Sequence, residues 1–245
     1  MKKLILLLCF FTANLAAQNE FANAIKHFSA ADWTSVMSGR QYLPTRTKTD
    51  FELRGHPFLF DTWDVGALQL RDSSVMTVDA GFKLNVENDE IWTKGKENRE
   101  YVLTDERIVA LQLTRADGKH VFKRIQSPLD KSLFWGEIKF DGARYVLIKQ
   151  VKKKFLEANY IDKGIAVSGR NYESFDTSEF WFILTKNKSK MLPIKLKRRD
   201  FTRIAGLTDD ADLKAFRDFC STKDIGSDLE EDDAVEVLEY LDKLK

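Results

Sequence analysis

The stretch Val109-Ala110-Leu111-Gln112-Leu113-Thr114-Arg115-Ala116-Asp117-Gly118-Lys119-His120-Val121-Phe122-Lys123-Arg124-Ile125 decides the fold class. Val109, Leu111 and Leu113 alternate with Ala110, Gln112 and Thr114, the period of two expected of a strand with one wetted face. Asp117-Gly118 follows, a dipeptide that tolerates positive φ and favours a tight hairpin turn, and a second strand is expected over 120–125. Strands of this kind belong to antiparallel sheets.

The same signs recur outward from this hairpin. Phe82, Leu84 and Val86 alternate with Lys83, Asn85 and Glu87, and Asp141-Gly142 separates expected strands over 134–140 and 144–151. Lys94-Gly95 and Asp72-Ser73-Ser74 mark further turns. Phe180-Trp181-Phe182-Ile183-Leu184 is apolar on both faces, as a strand covered on each side would be, and its aromatic density reads as core. From Thr208 the period becomes helical. Thr208 with Asp209 and Asp210 caps a helix carrying Leu213, Phe216 and Cys220. Ser227 with Glu230 forms a capping box for a second, striped by Ala234, Val237, Leu238, Leu241 and Leu244. The expectation is a mainly β (α+β) protein: an antiparallel meander forming a sandwich or open barrel over 57–204, with a helical pair over 205–245 packed on it.

The first residues read as an address. Lys2 and Lys3 precede the apolar run 4–11, and Ala13, Ala16 and Ala17 supply small residues, the pattern of a cleavable secretory signal over 1–17 with cleavage after Ala17. The run ends at Asn14, short of the roughly 18 apolar residues of a membrane anchor. Cys9 follows Leu7 and Leu8 rather than the small residues of a lipobox, so the chain is expected to be released, periplasmic or secreted, with no transmembrane segment after cleavage. Residues 18–56 are expected to hold a short helix (Phe21, Ala24, Ile25, Phe28) and a loop region.

Without the signal, the 39 Lys and Arg against 38 Asp and Glu become 37 against 38. A near-neutral chain has no global field to recruit nucleic acid. Charge is nevertheless segregated: residues 186–203 hold eight Lys or Arg against one acid, and residues 208–245 hold thirteen acids against five bases. The basic stretch contains Pro193 and alternates Ile194 and Leu196 with Lys195 and Lys197, as a charged edge strand would; a dock for the acidic helices and a polyanion patch are the other readings. Cys220 is the one cysteine left, and its place in a helical stripe makes it a core residue.

Catalytic and metal sites carry characteristic spacings. His27, His56, His120 and Cys220 include no pair at metal-ligand spacing, and residues 228–233 lack the glycine and alternating ligands of a calcium loop, so no metal and no cofactor are expected. Ser38-Gly39 and Ser168-Gly169 lack the first glycine of a serine elbow, and phosphate loops are missing. His56, between Gly55 and Pro57 with Asp61 and Asp64 nearby, reads as a turn histidine beside Trp63 rather than a base. Nothing in the sequence selects a carboxylate pair. One element repeats: Ser38-Gly39-Arg40-Gln41-Tyr42 matches Ser168-Gly169-Arg170-Asn171-Tyr172 in register. Arg and Tyr are enriched in binding hot spots, so Arg40, Tyr42, Arg170 and Tyr172 are the candidate contact residues.

The string Ser38-Gly39-Arg40-Gln41-Tyr42-Leu43-Pro44, then Gly55-His56-Pro57-Phe58, then Trp63 with Gly66-Ala67-Leu68-Gln69-Leu70, resembles a family of exported proteins from Gram-negative bacteria. The hairpin at Asp141-Gly142 and the helix Leu238-Glu239-Tyr240-Leu241 are similar to it too. The resemblance implies an envelope or secreted location and brings no activity and no catalytic residues. The leading expectation is an exported, non-enzymatic binding or structural protein of the cell envelope with an unidentified partner or ligand. A periplasmic hydrolase built on carboxylates or His56, and a carrier of small apolar ligands in a barrel interior, are the alternatives.

Overall fold

The computed structural model describes residues 51–244 apart from 96–97, 105 and 163–166. The expected signal over 1–17, the helix around Phe21 to Phe28, and the first Ser-Gly-Arg-x-Tyr copy with Arg40 and Tyr42 lie outside the described residues. The chain is mainly β with three helices near its C-terminus, and the described part divides into two units, residues 58–120 and residues 51–57 with 121–244.

The first unit is built from β2 (Asp64–Leu70), β3 (Val75–Asn85), β4 (Glu90–Lys94), β5 (Glu100–Leu103) and β6 (Ile108–Arg115), ordered β6-β2-β3-β4-β5 with antiparallel neighbours. The alternation that marked the strand around Leu84 buries Phe82, Leu84 and Val86 with Leu68, Met76, Ile91 and Leu111. Asn85 is buried as well, because its Oδ1 accepts the N–H groups of Glu87 at 3.0 Å and Asn88 at 3.3 Å and so shapes the β3–β4 turn. Ala116 and Asp117 form the turn into β7 (Gly118–Gln126), with Gly118 at φ 136°.

The second unit carries the order β1-β12-β9-β8-β7, where β1 is Glu52–Arg54, β8 is Leu133–Asp141, β9 is Tyr145–Leu156 and β12 is Tyr172–Thr185. β10 (Ile161–Asp162) and β11 (Val167–Ser168) form a separate two-stranded ribbon. The sheet is mixed rather than purely antiparallel, since β1 runs parallel to β12. Beyond that contact, β13 (Lys190–Ile194) pairs antiparallel with the end of β12, and Pro193 sits in it as edge strands permit. The strands do not close into a barrel.

Successive residues of β12 face opposite ways, and of the apolar run 180–184 Phe182 and Ile183 are buried on the two faces while Phe180, 41 % exposed, is not core. Ile183 joins Tyr145, Leu147 and Ile194 beneath the helices, while Phe182 joins Phe134, Val146 and Ile148 on the other face. Three helices cover the first face: α1 (Arg198–Ala205), α2 (Asp210–Thr222) and α3 (Glu231–Lys243). Phe201 of α1, Phe216 and Cys220 of α2, and Ala234, Val237, Leu238 and Leu241 of α3 are buried together. Asp209 caps α2, its carboxylate accepting the Ala211 N–H at 2.7 Å.

Two details differ from the sequence reading. α1 begins inside the basic stretch, directly after the edge strand, because Phe201 has a fully buried place waiting under the sheet. The cap of α3 is Glu230, not Ser227: the backbone at 227–229 is already bonded to 196–198, Arg198 N–H donating to the Ser227 carbonyl and Leu229 N–H to the Leu196 carbonyl. Glu230 N–H donates instead to the Asp233 carboxylate at 3.2 Å.

Candidate functional site

The β12–β13 hairpin and the end of α1 enclose an open groove of about 490 Å³ lined by Thr185, Lys188, Lys190, Leu192, Pro193, Arg203 and Ile204. Its construction follows from register. Ile183 pairs with Leu192 and Thr185 with Lys190, and paired residues share a face, so Leu192 and Lys190 stand on the helix-covered side with Ile183. The tight 3-10 turn Lys186–Lys188, with Ser189 at positive φ, brings Lys188 to the hairpin tip. On the opposite wall Phe201 anchors α1, and Arg203 and Ile204 follow in its last turn. Gly206 at φ 70° ends the helix there: Leu207 N–H returns to the Thr202 carbonyl at 3.1 Å, the Schellman arrangement, and Leu207 packs on the core.

The groove therefore has an apolar floor and a cationic rim. Lys186 pairs with Asp141 at 2.7 Å, Lys197 with Asp228 at 2.8 Å and Arg203 with Asp200 at 3.1 Å. Lys188 and Lys190, both exposed, have no acidic partner among the described residues.

Arg170 and Tyr172 lie elsewhere in the same unit. Gly169 adopts φ 86°, and a Cβ there would strike the Asn159 carbonyl oxygen. Arg170 N–H donates to Asn159 Oδ1 at 2.7 Å, and its guanidinium reaches the Glu157 carbonyl at 3.3 Å and Ser174 Oγ at 3.5 Å. The Tyr172 ring is covered by the Arg54 guanidinium, 3.9 Å from its centroid. Arg170 and Tyr172 thus have their partners in Glu157, Asn159, Ser174 and Arg54, and neither residue lines the groove.

The acids that flank His56 in sequence are paired with cations. Asp61 pairs with Lys83 at 3.6 Å and Asp64 with Arg115 at 2.6 Å, so both acids near His56 in sequence have cations of their own. Arg115 also donates to Thr62 Oγ1 at 2.9 Å and stacks 3.8 Å over Phe60. His120 Nε2 lies 3.3 Å from Asp117, whose carboxyl is held below its ordinary value first by that hydrogen bond. This Asp-His pair spans the hairpin turn three residues apart, a spacing that the sequence reading did not single out.

A second cluster ties the sheet to α3. Lys139 Nζ bridges Glu137 and Glu231, each at 2.6 Å, and Lys149 reaches Glu231 at 3.3 Å and Glu179 at 2.9 Å. Burial pushes the Glu231 carboxyl up, but the hydrogen bond and charge of Lys139, then the charge of Lys149, hold it below its ordinary value. A general acid needs the opposite shift. No group of three or more His, Cys, Asp or Glu with metal-site geometry occurs among the described residues.

Fold and groove together define a mainly β protein, with a mixed open sheet, three helices near the C-terminus, and an apolar, cation-rimmed cleft at the sheet edge. No family model, no curated protein and no solved structure matches the chain.

Proposed function

We propose that this chain is an exported, non-enzymatic binding protein of the cell envelope, periplasmic or secreted, and that its ligand site is the groove between the β12–β13 hairpin and α1. One observation carries the site: Lys188 and Lys190 stand beside the apolar Leu192, Pro193 and Ile204 without acidic partners among the described residues. A cleft of this size, apolar with a few convergent polar groups, has the dimensions of small-ligand sites. The address rests on residues 1–17 and on the resemblance to exported proteins.

The address is tested by N-terminal sequencing of a C-terminally tagged chain expressed in a Gram-negative host. A chain beginning at Gln18 in the periplasm or medium is expected, and a cytosolic chain beginning at Met1 would refute it. The site is tested in the same cells by a photo-crosslinking residue at position 188, with position 88, an exposed turn of the other unit, as comparison. A discrete small-molecule mass adduct at 188 alone is expected; none, or equal adducts at both positions, would remove the groove as the site.

A further inference from the structure

We infer that the groove receives a single-chain amphiphile with an anionic head, its tail along Leu192, Pro193 and Ile204 and its head at Lys188, Lys190 and Arg203. This rests on the reading of the groove as the ligand site. Charge complementarity decides the head. Three other cations of residues 186–203 have carboxylates at ion-pair distance, and of these only Arg203 lines the groove, still largely exposed beside Asp200. Lys188 and Lys190, like Lys195, Arg198 and Arg199, have no carboxylate at ion-pair distance among the described residues, but of these five only Lys188 and Lys190 line the groove, and an anionic oxygen is their natural counterpart.

Width decides the tail. The floor is one strand side chain, Leu192, with Pro193 beside it, and the facing wall is one helix side chain, Ile204. A strip one residue wide covers one hydrocarbon chain. Order along the strand then sets polarity: Lys190 precedes Leu192 by two residues on the same face, so head and tail sites are adjacent and fixed in direction.

The experiment titrates the purified exported chain, below micellar concentrations, with laurate, dodecyl phosphate, inorganic phosphate and neutral dodecyl maltoside. Binding is read by calorimetry and by backbone NMR shifts of residues 185–192 and 203–206. One-to-one binding of laurate and dodecyl phosphate is expected, at least about ten-fold tighter than phosphate or maltoside. Lengthening the tail from eight to twelve carbons should tighten binding about four-fold for each methylene that enters the groove. The pair Lys188→Glu/Lys190→Glu, both exposed, should melt as the parent does and lose about ten-fold for the anionic probes alone.

Equal binding of inorganic phosphate would overturn the tail, and equal binding of maltoside would overturn the head, while either leaves the groove as a ligand site. Concentration-dependent shifts of these residues in ligand-free protein would replace the amphiphile by a second copy of the chain. No shift with any probe overturns both the inference and the groove reading.

Discussion

The Asp242 carboxylate, near the end of α3, accepts the backbone N–H groups of Ala143 and Arg144 at 2.6 and 2.7 Å, and the Arg144 guanidinium returns to the carbonyls of Leu241 and Leu244. Each end of this exchange satisfies groups that its own element leaves open: hairpin N–H donors on one side, the last helical carbonyls on the other. Asp242→Ala should therefore cost about 1 to 3 kcal/mol, since it removes two hydrogen bonds to a charged carboxylate. Urea unfolding should show a lower midpoint with an unchanged slope; an unaltered midpoint would show that the exchange adds no stability.

The other end of α3 is held by charge, and this makes its docking acid-sensitive. Glu231 has a folded-state value held below its unfolded one, so the stabilisation is complete above about pH 4.5 and is lost as the pH falls through the lower, folded value. Lys139 contributes the opposite limb: burial pushes it down, but hydrogen bonds to Glu137 and Glu231 raise it, so its part is lost only as the pH climbs through a value above 10.5. Glu231→Gln should lower stability at neutral pH and converge on the parent at acid pH. Parallel curves of urea midpoint against pH for the two proteins would contradict this.

Gly206 isolates backbone strain from packing. A Cβ there meets nothing within 4 Å, yet the residue sits at φ 70°. Gly206→Ala should destabilise by about 1 kcal/mol, the cost of a left-handed alanine without any clash. A melting temperature at or above the parent's would mean that the end of α1 rearranges freely, and with it the groove wall.

Cys220 is 0 % exposed, and burial is the largest influence raising its thiol, ahead of the opposing charge of Arg198. In the native chain an aromatic disulfide reagent should label it only as fast as the second unit opens, with rapid reaction on addition of denaturant. Immediate stoichiometric labelling without denaturant would show a thiol at the surface.

What sequence reveals here is what is local. The Asp117-Gly118 and Asp141-Gly142 turns need no distant partner to bend, and the stripe Ala234, Val237, Leu238 and Leu241 announces its buried face by spacing alone. α1 was hidden because its eight residues carry four of the chain's bases and acids and offer Phe201, Ile204 and Ala205 as their apolar part; the helix is held by a place for Phe201 that other segments build. Ser227 looks like a cap, and loses that role because residues 196–198 claim its backbone. Gly169 and Arg170 stand out in the sequence as part of a repeat, but their close approach to Glu157 and Asn159 is visible only in the structure.

By itself, the sequence determined the β class, the two helices from Thr208 onward and the burial of Cys220 in a helical stripe, because each depends on periodicity. The tertiary structure alone decided the groove. Lys188 and Lys190 meet Ile204 and Arg203 only because β13 folds back on β12 and Phe201 seats α1 against the same face. Pairing register and core packing act between residues far apart in the chain, so no local pattern could announce the groove.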